Sequence, residues 1–204
     1  MCEPSVYVRW KGDQVEMIVV YVDDLGVATS SERRAKEIFE QMEKYITIGS
    51  REEALEGKKI RHLGCMIEKK KENGVNYFTL SLVKNKVDAL VQAVLKTQDL
   101  EPAPVQTPAL PKGKKEDTVL LNEKRTTIYR TGVGMILYMS KIRPDLVFAA
   151  AKLSQKNEPT RYDMEALVKT ARYIWTTMNH EVELKFDPNR TYIESYTDAI
   201  STLT

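Results

Sequence analysis

Asp23 and Asp24 stand side by side in Met17-Ile18-Val19-Val20-Tyr21-Val22-Asp23-Asp24-Leu25-Gly26-Val27, where an apolar run breaks on two carboxylates and then resumes. Paired carboxylates suit a hard divalent cation. Mg²⁺ takes oxygen ligands, usually one or two carboxylates with substrate phosphates completing the shell. The same pair is also ordinary turn chemistry, because Asp favours turns whatever its function. Two ionised carboxylates are costly to bury without hydrogen bonds or opposite charge. The least costly arrangement is a hairpin whose turn carries Asp23 and Asp24 into solvent while both β-branched arms stay in a sheet. A continuous apolar arm of this kind suits a strand covered on both faces.

The elements that must position this pair follow from the pattern on either side. Ser5 to Trp10 alternates as a strand, and Lys11-Gly12-Asp13-Gln14 turns the chain into the apolar run. Thr29 with Glu32 three residues on forms a capping box, and Ala35, Ile38, Phe39, Met42 and Tyr45 recur at helical spacing, predicting an amphipathic helix over 31–46 with a solvated charged face. Strands are expected over 60–66 and 77–82, joined by the charged loop 68–74, whose Asn73-Gly74 is a strong hairpin-turn signal. A helix over 83–96 carries the stripe Val87, Leu90, Val91, Val94 and Leu95. Residues 101–115 hold four prolines and a basic cluster and read as an extended linker. Helices follow near 126–140, 144–156 and 160–178, with Pro144 suited to the first turn of the second and Pro159 preceding the third. Strands over 182–186 and 192–196 flank the turn 187–190.

Length and composition bound the class. The 204 residues suffice for one full core, or one domain and part of another, and the 42% apolar and 29% charged content is that of an ordinary soluble globular protein. A net charge of +2 does not by itself imply a nucleic-acid partner. Cys2 and Cys65 have no second ligand pair at metal spacing, so neither a zinc site nor a disulfide framework is supported, and free thiols in a reducing compartment are expected. No apolar stretch reaches the ~18 residues of a membrane span, and the N-terminus has no signal-peptide pattern. The expectation is a soluble intracellular chain that is not secreted. His62 and His180 lack partners at catalytic or metal spacing and read as structural.

Tyr21-Val22-Asp23-Asp24-Leu25 resembles the palm motif of reverse transcriptases, in particular those of copia-type LTR retrotransposons. Further landmarks of that family are resembled in order. They are Glu3 to Tyr7 before the hairpin, His62-Leu63-Gly64 with Met66-Ile67, Thr107-Pro108, and Tyr129-Arg130 with Gly132 and Gly134 to Tyr138. Arg143-Pro144-Asp145-Leu146 with Leu153-Ser154 and Pro159, then Ala166 and Arg172-Tyr173-Ile174 with Thr177, continue the series. Tyr196-Thr197-Asp198-Ala199 is similar to the first strand of RNase H. The chain departs from the pattern at Ser81-Leu82, Asp163-Met164 and Ile200, as a diverged copy would.

The resemblance implies an α+β fold. Residues 1–82 would be the C-terminal part of a palm, 83–180 a helical thumb and connection region, and 181–204 the truncated start of an RNase H-like domain. It implies RNA-directed DNA polymerisation by two-metal nucleotidyl transfer, with Mg²⁺ or Mn²⁺ as cofactor, and RNA/DNA template–primer, dNTPs and the remainder of a Pol polyprotein as partners. A cytoplasmic particle or the nucleus would be its place. Asp23 would bind metal directly, Asp24 would support the metal site, and Tyr21 and Val22 would lie near primer and template. Asp198 would be the first metal ligand of an incomplete RNase H site. Lys58, Lys59, Arg61, Lys84 and Lys86, with Lys112, Lys114 and Lys115, are candidates for phosphate contacts that bind without reading sequence. Trp10, Tyr77 and Trp175 sit in apolar-periodic segments and are expected in the core or at its rim. The family's third polymerase carboxylate comes from a strand far upstream; Asp13 lies in a turn and Glu16 in a hairpin arm, so the isolated chain is expected to be inactive in both reactions. The alternative is a non-catalytic retroelement-derived remnant that at most binds nucleic acid.

Overall fold

The computed structural model describes residues 5–12, 14–29, 31–54, 56–108 and 118–185. The chain divides into two compact units, Met1–Glu53 and Ala54–Thr204. Each combines an antiparallel sheet with helical structure, so the fold is α+β.

The N-terminal unit is a meander of β1 (Val6–Lys11), β2 (Gln14–Tyr21) and β3 (Asp24–Thr29), followed by α1 (Glu32–Met42). Pairing of Tyr7 with Ile18, Arg9 with Glu16, Ile18 with Val27 and Glu16 with Thr29 puts these side chains on one face. There Ile38 of α1 is buried and Arg34 of α1 reaches Glu16. The other face carries Val6, Val8, Trp10, Val15, Met17, Val19 and Tyr21, and since Val8, Trp10 and Tyr21 are exposed there, β2 is not the strand covered on both faces that its apolar run suggests. The helix starts later than the expected capping box. Thr29 is held in the ladder opposite Glu16, and Ser31 is the N-cap, its hydroxyl accepting from the Arg34 amide. The helix ends at Met42, leaving Tyr45 outside it and 88% exposed.

In the C-terminal unit β4 (Lys59–His62), β5 (Cys65–Glu72), β6 (Val75–Leu82) and β7 (Glu181–Lys185) form one antiparallel sheet in that order. Two tight turns build it. Asn73 and Gly74 have φ of 51° and 82°, and Leu63 and Gly64 have 46° and 80°, positive at both central positions as the favoured hairpin turns require. The expected strand over 60–66 is therefore two strands. The expected charged loop 68–74 is mostly strand, because its charges pair across the ladder. Lys59 reaches Glu181 at 2.9 Å and Glu68 at 3.5 Å, Lys70 bonds Glu181, and Lys185 reaches Glu72 at 3.1 Å. Lys59 and Glu68 are an opposite-charge pair on facing strands, which stabilises the ladder, and the contacts with Glu181 and Lys185 reach over β6 to β7. The strand expected over 182–186 is observed as β7 and pairs with β6, Phe78 opposite Leu184, within the same sheet. The compact units divide between residues 53 and 54. The strand expected over 192–196, and Asp198 after it, lie outside the described residues.

The helical core begins where β6 runs through Leu82 into α2 (Lys84–Leu90), which continues as a π-helical segment, Val91–Leu95, and a 3₁₀ turn, Lys96–Gln98. Val87, Leu90, Val94 and Leu95 are fully buried, as their helical spacing predicts, and Asp99 in the left-handed region (φ 56°) ends the helix. Residues 101–108 of the expected linker carry no helix or strand. α3 (Glu123–Ser140) follows, capped by Asn122. Then come a 3₁₀ turn with Pro144 in its first position, α4 (Val147–Ser154) and α5 (Arg161–Thr176). Asp163, a departure from the family pattern, closes a capping box with Thr160. The hydroxyl of buried Tyr129 donates to the Leu153 carbonyl at 2.8 Å and ties α3 to α4.

Arg143 is 1% exposed. Its Nε and one terminal nitrogen donate to both Asp145 oxygens at 2.8 and 2.6 Å, and the Thr177 carbonyl and hydroxyl accept two further bonds at 2.9 Å. The Tyr173 hydroxyl donates to the same carboxylate at 2.8 Å. Burial works against the charge on Asp145, yet the hydrogen bonds from Arg143 and Tyr173 outweigh it and hold the carboxyl below its ordinary range.

Gly132 marks a close helix approach. A Cβ there would meet Val94 Cγ2 at 2.7 Å and Leu167 Cδ2 at 3.0 Å. Gly132→Ala is expected to lower stability by about 1–3 kcal/mol through overpacking, read as a lower urea midpoint with unchanged slope. An unchanged midpoint would mean that the contact with the π-helical segment yields freely.

Candidate functional site: the Tyr21–Asp24 hairpin

Tyr21 pairs directly with Asp24, so the loop between β2 and β3 consists of two residues, Val22 and Asp23. Asp23 sits at the turn and Asp24 on the first rung of β3; both are exposed, as the cost of burying them requires. Tyr21 and Val22 are 60% and 87% exposed beside them. All four residues expected in the polymerase site therefore share one hairpin tip.

The tip carries strain. Val22 has φ of 56°, a region that β-branched residues rarely enter and that tight hairpins usually give to glycine. A short loop between arms of fixed register leaves Val22 no alternative, since slipping one residue would turn every side chain of β2 to the opposite face.

Two carboxylates fit part of an oxygen-ligand set for Mg²⁺ or Mn²⁺. Among the described residues no group of three or more metal-ligating side chains occurs. Glu16 does not join the pair. It lies opposite Thr29 at the far end of the hairpin, roughly 17 Å from Tyr21 at ~3.3 Å per residue. Glu16 is instead 5% exposed and clasped by two guanidinium groups, accepting from Arg9 Nε at 2.7 Å and from Arg34, which also donates to Glu37 at 2.7 Å. The hydrogen bond from Arg34, then that from Arg9, hold its carboxyl down at about 2. Arg34 therefore does not belong to a solvated face. Arg9 and Glu16 flank the first turn on facing strands, a signal in the sequence; the third partner comes from the helix and leaves no local trace.

The basic candidates all belong to the C-terminal unit. Lys58 and Lys84 are exposed, the Lys59 ammonium is shared by Glu181 and Glu68, and Lys86 lies 5.4 Å from the centre of the Tyr138 ring. Arg61 is exposed on β4. Lys112, Lys114 and Lys115 fall outside the described residues, as does Asp198. Trp10 is 71% exposed, while Tyr77 lies 4.9 Å from the Lys185 ammonium and Trp175 packs against the helical core.

Two outcomes are expected. Val22→Gly removes a strain of order 1–3 kcal/mol and gives back roughly 0.5–1 kcal/mol in unfolded-chain entropy, so it should raise stability by about 1 kcal/mol in urea unfolding. A loss would mean that the Val22 side chain holds the turn. The second concerns acid. The folded carboxyl of Glu16 lies below its ordinary 4.5, so its ion pairs stabilise the fold above that pH and stop doing so as pH falls through about 2. Wild type should exceed Glu16→Gln in stability at pH 7, and the gap should close between about pH 4.5 and 2; a gap independent of pH would refute the ion-pair account.

No family model matches the chain, and no solved structure matches it. Among curated proteins it is similar to the retrovirus-related Pol polyprotein from transposon RE1 of Arabidopsis thaliana, 28% identical over 201 residues that make up 97% of this chain and 13% of the relative. The corresponding polyprotein from transposon RE2 is 27% identical over 199 residues, with the same coverage. A putative transposon Ty5-1 protein of Saccharomyces cerevisiae is 28% identical over 177 residues, 86% of this chain and 54% of that protein. The chain thus spans 13% of the length of the two plant polyproteins and is similar to one stretch of them from end to end.

Proposed function

We propose that the chain is a segment of a copia-type reverse transcriptase, with the Tyr21–Asp24 hairpin as its half of a polymerase metal site. The observation that carries this reading is the pair Asp23 and Asp24, exposed at the tip of a two-residue hairpin inside Tyr-Val-Asp-Asp-Leu. The similarity to transposon Pol polyproteins along 97% of the chain supports it. Asp23 would hold a divalent ion directly and Asp24 from the adjoining rung. When bound, such ions activate the primer 3′-oxygen and stabilise the leaving pyrophosphate. Tyr21 and Val22 would flank the primer end. Asp198 keeps the RNase H assignment in this reading, and Lys58, Lys59, Arg61, Lys84 and Lys86 that of phosphate contacts. With Glu16 committed to Arg9 and Arg34, the hairpin offers two carboxylates among the described residues, and in this reading the isolated chain is inactive. That same deficit favours the second reading, a retroelement-derived remnant that binds nucleic acid without catalysis.

Mn²⁺ titration followed by electron paramagnetic resonance, with primer extension on a homopolymer RNA template, tests the assignment. Weak Mn²⁺ binding that is lost in Asp23→Asn with Asp24→Asn is expected, with no template-dependent synthesis by the chain alone. Binding indifferent to both substitutions would remove the metal role. Synthesis abolished by Asp23→Asn would show a complete site and overturn the inactivity. Salt-sensitive binding of template–primer without Mn²⁺ binding at the hairpin would favour the remnant.

A further inference from the structure

In the C-terminal unit, the chain that leaves the 3₁₀ turn after the π-helical segment runs back along α5, and between them lies a cleft of about 690 Å³. Its wall is fastened rather than loose: Arg172 donates to the Glu101 carbonyl at 3.2 and 3.1 Å, and the Thr176 hydroxyl accepts from the Val105 amide at 3.0 Å. Gln98, at the end of the distorted helix, donates to the Val94 carbonyl at 2.6 Å and lines the cleft. π-Helical segments of this kind recur at functional sites.

The lining has two characters. Arg125, Arg161, Lys169 and Arg172 supply four cations, and Glu165 is the single acid lining it among the described residues. Arg161, Glu165, Lys169 and Arg172 recur along α5 at helical spacing and form one stripe. Between the cations the floor is apolar, made by Val105, Met164 and Val168. Cations alone would suit any polyanion. An apolar floor under a cationic rim suits a ligand that alternates carboxylates with apolar side chains.

From this pairing we propose that the cleft docks an acidic peptide segment of a partner protein, its apolar side chains on Val105, Met164 and Val168 and its carboxylates on Arg125, Arg161 and Lys169. The inference is independent of the metal hairpin, which lies in the other unit. The charged rim steers association and fixes register, and the apolar floor supplies the part of affinity that salt does not screen. A ligand held by phosphate contacts alone would lose affinity steeply and continuously with salt.

The test is selection of 12-residue peptides from a random display library on the whole chain, followed by binding of the enriched peptides to wild type and to Arg161→Glu with Lys169→Glu. Both side chains lie on the outer face of α5, and equal urea midpoints for the two proteins establish that the variant is folded. The expected result is enrichment of peptides rich in Asp and Glu with spaced apolar residues, binding the double variant at least tenfold more weakly. Arg161→Lys with Lys169→Arg should keep most of the affinity. Enrichment without acidic character, or equal binding to both proteins, overturns the proposal. So does a single-stranded DNA 12-mer that loses affinity on charge reversal when the selected peptides do not, since the cleft would then be a nucleic-acid contact.

Discussion

A guanidinium taken out of water must have its N–H groups met, and the C-terminal unit is arranged around doing that for Arg143. Its partners come from two places: the 3₁₀ turn that starts α4, through Asp145, and the C-cap of α5, through Thr177, while Tyr173 donates to the same Asp145 carboxylate. Removing Asp145 would leave a buried charge uncompensated, which costs far more than the pair contributes net. The fork geometry also excludes lysine, which has no planar set of donors to span a carboxylate and a carbonyl together. By fixing the end of α5 against the turn before α4, the cluster sets where the chain leaves the bundle, and so where β7 can meet β6.

The N-terminal unit depends on a different constraint, the register of three short strands. It is pinned by buried Glu16 between Arg9 and Arg34, and its consequence surfaces at the opposite end of β2, where a valine is held at positive φ. Backbone strain persists where surrounding structure over-determines it. Here the ladder does so, and the two carboxylates sit immediately beyond the strained residue. The hairpin is therefore stiff at the position where a metal-binding pair would need to keep its geometry.

What could be read from the sequence was what nearby residues decide. Asn73-Gly74 announced its turn, Val87 to Leu95 their buried stripe, and the run from Met17 to Val27 its hairpin, because each signal lies within a few residues. Leu63-Gly64 carries no turn signal because leucine is a poor occupant of positive φ, and only the pairing of His62 with Cys65 requires it. The strand at 68–72 reads as a loop from its charges alone, since their partners Glu181 and Lys185 lie more than a hundred residues along the chain. Thr29 and Ser31 were both able to cap α1, and the ladder, not the residue type, chose between them. Asp23 and Asp24 were identifiable as a pair from their neighbours, whereas the commitment of Glu16 to two arginines is a tertiary fact.

The pairing of β6 with β7 has a consequence for how this chain can be divided. Ser81 and Glu181 face each other across the ladder, so the described residues between 83 and 180 leave the sheet and the chain returns to it within about 5 Å, the spacing of opposed residues. Topologically the helical bundle is an excursion from a sheet that a tight turn could have closed. Its exit and entry points coincide, as they do in inserted domains. A break among residues 101–108 would then not release two independent halves, because the segment beyond it still supplies the fourth strand. Pairing Ser81 with Glu181 closes a loop of a hundred residues, the kind of non-local contact whose closure entropy must be met before it stabilises anything.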